Sequence, residues 1–182
     1  MSVGPHETLI ETLIRATDVP RAVVRHDAFA VPVERKHALI VGASHLASIE
    51  ALFPNYALNA TVIIPTTMAP LDREQELERA FSFEDQNQSF CRGVGVARDL
   101  SGVDSDSVDY LIICTPYPAI RDEMLGHAWR VVKEFGKVLV FSTSELLPSY
   151  LQSAGIASAT HFPIEGFYAG TMRKSLAIYT KN

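Results

Sequence analysis

The chain has 182 residues, 47% of them hydrophobic and 20% charged, and a formal net charge of -5. These values suit a globular domain with a full hydrophobic core. The acidic balance, with no long run of Lys or Arg, argues against nucleic acid, which needs a basic face, and no apolar stretch approaches the roughly 20 residues that cross a bilayer.

The opening MSVGPHETLIETLIRATDV has no basic start followed by a long apolar run, so no secretory signal is read and a reducing, cytoplasmic setting is expected. Within it, Leu9, Ile10, Leu13 and Ile14 share one helical face over residues 7–16, and Pro20 follows. AVVRHDAFAV (22–31) suits a strand or hairpin arm. Residues 1–36 are therefore read as a helix and lead-in strand ahead of an α/β domain over 37–182.

ALIV (38–41) is a wholly apolar strand of the kind buried on both faces of a sheet. SHLASIEALF (44–53) is read as its crossover helix and NATVIIP (59–65) as the second strand. In the charged stretch that follows, Leu71, Leu77, Ala80 and Phe81 predict a helix from about Asp72 to Phe83 with a solvated outer face. Glu84–Ser89 is expected to be a polar loop. FCRGVGVARDL (90–100) is a third strand ending near Ala97, with Gly93 and Gly95 marking a close approach or a bulge.

SVDYLIICTP (107–116) is the fourth strand. RDEMLGHAWRVVKEF (121–135) reads as a helix whose inner stripe is Leu125, Ala128, Trp129 and Val132, stopped by Gly136. KVLVFST (137–143) is a strand, and 144–155 a short helix with Ser144 as N-cap, interrupted by Pro148 and closed by Gly155. ASATHFPIEGF (157–167) and SLAIYT (175–180) are two more strands. The seven residues between them are too few for a crossover helix, so they should pair antiparallel. The expected fold is a three-layer, doubly wound α/β domain: a mostly parallel seven-stranded sheet with an antiparallel C-terminal hairpin at its edge.

This order, carried by SVDYLIICTPYP, AWRVVKEFGKVLVFSTSELLPSYLQSAGI and ATHFPIEGFYAGTMRKSLAIYTKN, resembles the class I S-adenosylmethionine-dependent methyltransferases over about residues 36–182. The resemblance implies a Rossmann-like fold with S-adenosylmethionine as cofactor. It also implies cofactor contacts from the loop Gly42, Ala43 and Ser44, from Thr66, from Asp99 and Leu100, and from Thr115 and Pro116. Departures are visible. The family's loop is glycine-rich, and here only Gly42 remains. The acid that takes the ribose hydroxyls after strand two is replaced by Pro65, Thr66 and Thr67. Asp99 is open to two roles, at the adenine amine or as a turn residue.

Ligands of open α/β sheets sit beyond the carboxyl ends of the strands, which would bring these residues to one crevice. Thr115-Pro116-Tyr117-Pro118 partly resembles the family's amine-acceptor motif. Tyr117 would stack a planar substrate or serve as a loop aromatic. His45 would be a base or a helix-start residue bonded locally, and His161 reads as a core or edge residue. The six histidines show no pair at metal spacing on a helix. Cys91 and Cys114 have neither metal nor disulfide spacing, and Cys114 in its apolar strand reads as a buried thiol. Three functions stay open: methyl transfer to a small molecule, a methyltransferase-shaped accessory or partner-binding protein, and binding of a nicotinamide dinucleotide. A homo-oligomer is compatible with each.

Overall fold

In the computed structural model, the residues described are 11, 13–15, 17–50, 52–114, 126–142, 160–169 and 172–181, without the side chains of 48, 142, 160–169 and 172–177. A hairpin, β1 (Val23–His26) and β2 (Phe29–Pro32), precedes the sheet strands β3 (Lys36–Val41), β4 (Leu58–Pro65), β5 (Cys91–Ala97), β6 (Val108–Ile113), β7 (Val132–Ser142), β8 (Thr160–Ala169) and β9 (Met172–Thr180). The seven strands run β5-β4-β3-β6-β7-β9-β8 across one sheet. β3 to β7 are parallel, and β9 is antiparallel to both of its neighbours. The expected fold class therefore holds. The C-terminal hairpin forms the edge, with β9 inserted between β7 and β8 so that β8 is the outermost strand.

The alternation of side chains along a strand explains why ALIV is apolar throughout. Ala38 and Ile40 join Ala60, Val62, Ile64 and Ile112 in one core, while Leu39 and Val41 join Leu111, Ile113, Val138 and Val140 in the other. The first core is covered by α1 (Leu46–Ile49), α2 (Leu52–Asn55) and α3 (Pro70–Gln86), and by Leu13 of an N-terminal helical segment. Ala128 and Val131 of α4 (Ala128–Val131) cover the second. The N-terminal segment is tied to the sheet by the Tyr110 hydroxyl, which donates to the Thr17 carbonyl. Burial drives this phenol well above its ordinary pKa. Leu9 and Ile10 lie outside the described residues.

Several local expectations are corrected. The crossover helix over 44–53 is two short helices rather than one. α3 begins with Pro70 at its first turn and continues to Gln86, so Glu84–Gln86 are helical and not loop. Its buried stripe is Glu76, Ala80 and Phe83, while the expected Leu71 and Phe81 are 75% and 53% exposed. The stripe is displaced because two polar side chains, Glu76 and Asn87, find partners inside. Gly93 sits at a bulge, since Ala60 pairs with Cys91 but Thr61 with Gly93 and Arg92 is the extra residue, while Gly95 pairs in regular register with Ile63. No close approach occurs there, since the space around both glycines is open.

The helix expected over 121–135 ends at Val131, and Val132 already pairs with Val108 in the sheet. Gly136 is not a helix stop. It lies in a β7 bulge, where a Cβ would come within 2.7 Å of the Asp109 carbonyl oxygen and 2.8 Å of that of Lys133. Glycine is needed for this backbone approach. Leu125, and the helix expected over 144–155 with Ser144, Pro148 and Gly155, lie outside the described residues.

At the amino end of β3 the His37 N–H donates to Asp109 Oδ2 at 2.8 Å, tying β3 to β6. The His37 ring nitrogen Nδ1 is buried without a partner. Burial first, then Arg92, pulls the His37 pKa down against the opposing pull of Asp109. The folded state therefore favours the neutral ring. Its contribution to stability is complete above the ordinary histidine pKa of about 6.5 and is lost as pH falls below it. Urea titrations between about pH 5 and 7.5 should show a loss on acidification that is smaller in His37→Gln.

Candidate functional site

The carboxyl ends of β3, β4, β5 and β6 meet on either side of β3, where the winding reverses direction. This is the position for a ligand crevice in such sheets. Gly42 turns the chain out of β3 with φ of 90°, a conformation costly to other residues, and its N–H donates to the Ile63 carbonyl at 2.9 Å. This is what the lone glycine of the loop does: it makes the turn.

The next two residues are held by a side chain from α3. The Ala43 N–H donates to Glu76 Oε2 at 2.7 Å, and the Ser44 hydroxyl donates to Glu76 Oε1 at 2.6 Å. Glu76 is 4% exposed. Its carboxylate satisfies backbone and hydroxyl donors at the start of the α1 turn, as a capping side chain would. Sequence reasoning missed Glu76 by placing it on the solvated face. The signal was present, since Glu76, Ala80, Phe83 and Asn87 fall at helical spacing on one stripe, all four are buried, and a carboxylate at a core position requires a partner.

The other candidates are placed as follows. The His45 ring is buried and packs on Phe141 of β7, with centroids 4.9 Å apart and planes tilted by 42°. It makes no side-chain cap bond to the helix it precedes. Thr66 is exposed past the end of β4. Its N–H donates to the Ala97 carbonyl at 3.0 Å, and its own carbonyl accepts from Arg73 at 3.3 Å. Asp99 Oδ1 accepts from the N–H and the hydroxyl of Ser101 at 2.9 and 2.6 Å, an Asx turn. These bonds hold its carboxyl below the usual carboxylate range. The Leu100 side chain is fully buried in the second core, so only its backbone is at hand for a ligand, and its carbonyl already accepts from Arg130.

Thus the structure brings Gly42, Ala43, Ser44, Thr66 and Asp99 to one end of the sheet and turns His45 and Leu100 inward. Thr115, Pro116 and Tyr117, and the side chain of His161, lie outside the described residues. Cys114 is buried, and its N–H continues the ladder to the Val41 carbonyl. Among the described residues, no group of three or more His, Cys, Asp or Glu could hold a metal, and no helix is long and apolar enough to cross a membrane.

A cleft of about 600 Å³ opens beside this loop, between α1 and α3. Ala43 and Ser44 lie at one end, and Glu50, Glu78 and Arg79 are in its walls. It lies between two helices rather than above the strand ends, so it is adjacent to the crevice and not the crevice itself.

No family model and no curated protein matches the sequence. Solved structures do match the fold. A methyltransferase from Haloferax volcanii, in complex with the Trm112 methyltransferase activator, superposes with a TM-score of 0.64 at 13% identity, covering 96% of this chain and 89% of that one. The tRNA methyltransferase TrmI from Aquifex aeolicus gives 0.64 at 10% identity, covering 100% of this chain and 70% of that one. The cyclase SpnF gives 0.62 at 12% identity, covering 95% and 79%. The strand order, the antiparallel C-terminal pair and these superpositions agree, and the chain has the fold of the class I S-adenosylmethionine-dependent methyltransferases.

Proposed function

We propose that this chain binds S-adenosylmethionine and transfers its methyl group to a small molecule. The observation that carries this over a dinucleotide is Glu76 bound to Ala43 and Ser44. A dinucleotide lays its pyrophosphate on the amides of this turn. Here the Ala43 amide is already given to a carboxylate, and a second anion would meet like charge in a poorly solvated place. S-adenosylmethionine carries a sulfonium and an ammonium against one carboxylate, so the same charge attracts it. Methyl transfer then asks mainly for alignment of acceptor, methyl and sulfur. The net charge of -5 supports a small acceptor over a nucleic acid.

Calorimetric titration with S-adenosylmethionine, S-adenosylhomocysteine, NAD and NADP tests this. The first two should bind with Kd of about 1–100 μM and the dinucleotides should not. In Glu76→Gln the affinity for S-adenosylmethionine should fall about tenfold. Silence toward S-adenosylmethionine at about 1 mM would overturn the reading.

A second reading, a non-catalytic subunit that binds a protein, is favoured by the end of β4. There Pro65, Thr66 and Thr67 stand in place of a ribose-binding acid, and a threonine hydroxyl gives weaker bonds than a carboxylate. The Haloferax neighbour, seen with its activator, is consistent with a protein partner. This reading expects no cofactor binding in the same titration.

A further inference from the structure

We infer that the outer face of α3, together with the cleft beside it, docks a basic protein segment. Leu71, Glu74, Glu78, Phe81 and Asp85 recur at alternate spacings of three and four, so they form one stripe, and all five are exposed. Leu71 and Phe81 are 75% and 53% exposed, two large apolar side chains about 15 Å apart along a helix axis. Neither supports the core. α3 has its buried stripe elsewhere, on Glu76, Ala80 and Phe83, so Leu71 and Phe81 are apolar anchors on an otherwise acidic outer stripe.

The cleft supplies the second element. Glu50 and Glu78 line it from different parts of the chain, with buried Phe83 among its walls. The Glu50 carboxylate is oriented by Asn87, whose Nδ2 donates to Oε1 at 2.9 Å. Arg79 also lines the cleft, so two carboxylates against one guanidinium leave its walls net negative, and a lysine or arginine entering would meet them over an apolar surface that accommodates its stem. Beyond Phe81 a second shallow groove is lined by Glu84 and Asp85.

Charge selects the occupant. A second copy of this chain would bring Glu74, Glu78 and Asp85 against like charges, in a chain of net charge -5. Nucleic acid and anionic membranes are repelled for the same reason. A cationic protein segment with two apolar anchors fits both features. The inference does not depend on which ligand the crevice takes.

The test uses the full chain and a fluorescent helical peptide of Lys and Ala carrying two leucines ten positions apart, with a control in which glutamate replaces every lysine. Anisotropy should give a micromolar Kd for the basic peptide, weakened by salt, and none for the acidic one. The double variants Leu71→Ser/Phe81→Ser and Glu50→Gln/Glu78→Gln should each weaken binding about tenfold or more with an unchanged melting temperature. The inference is overturned by affinity unchanged in both variants, by equal binding of the acidic peptide, or by no binding at about 1 mM. It is also overturned if sedimentation shows a dimer that Leu71→Ser/Phe81→Ser abolishes, since the occupant is then a second copy.

Discussion

Arg35→Ala should lower stability by about 3 kcal/mol and the melting temperature by about 10 °C, although the residue is far from the ligand crevice. Arg35 lies just before β3 and reaches back under α2. Its Nη2 donates to the carbonyls of Phe53, Tyr56 and Leu58 at 2.7, 3.0 and 2.7 Å, and its Nε donates to Asn59 Oδ1 at 2.9 Å. The guanidinium also lies over the Phe90 ring, 4.5 Å from its centroid. One side chain thus satisfies carbonyls left open as α2 passes into β4, a demand every helix end makes. Burial lowers its pKa from the ordinary value, but an arginine stays charged regardless. Alanine removes the guanidinium donor from the Phe53 and Leu58 carbonyls, while that of Tyr56 keeps the Leu58 N–H at 2.8 Å, and it forfeits the cation–π contact. Arg35→Lys should recover only a minor part, because an ammonium cannot reproduce the planar fork. Denaturant titration of the three proteins decides the matter. Equal midpoints for wild type and Arg35→Ala would show that water replaces the guanidinium at no cost.

Glu76→Ala should cost about 2–3 kcal/mol, and it should also disorder the turn that faces the crevice. The substitution removes the acceptor of the Ala43 N–H and of the Ser44 hydroxyl, in a place where Ala43 is 1% exposed. Glu76→Gln separates structure from charge. Its amide oxygen can still accept from Ala43 and its NH₂ can donate to Ser44, so most of the stability should return, to within about 1 kcal/mol of wild type. The affinity for S-adenosylmethionine should not return, because the attraction is to the charge. Hydrogen exchange at Ala43 reports the turn and calorimetry reports the ligand. Full affinity in Glu76→Gln would remove Glu76 from the binding argument while leaving its role in the turn intact.

The unbroken apolar runs in ALIV and SVDYLIIC identified strands buried on both faces, because side-chain direction in a strand has a period of two and a run apolar throughout is apolar on both sides. The short connection before β9 required antiparallel pairing, because a parallel return needs a crossover. Gly42 stood out as the lone glycine after an apolar run, and its φ of 90° is what the turn there requires. These features depend on neighbours in sequence, and the sequence by itself determined them.

Tertiary structure decided the rest. Whether Glu76 is solvent or core depends on a loop 33 residues earlier, and the partners of Arg35 lie 18 to 24 residues away. Gly136 looked like a helix stop because its neighbours have helical spacing, yet the Asp109 carbonyl claims the space where a Cβ would stand. Likewise β9 lies inside the sheet and β8 at its edge, a choice between two antiparallel arrangements that hairpin length does not make. In each case the deciding contact joins groups distant along the chain. Its strength comes from the exclusion of water, which exists only once the sheet and helices have closed around it.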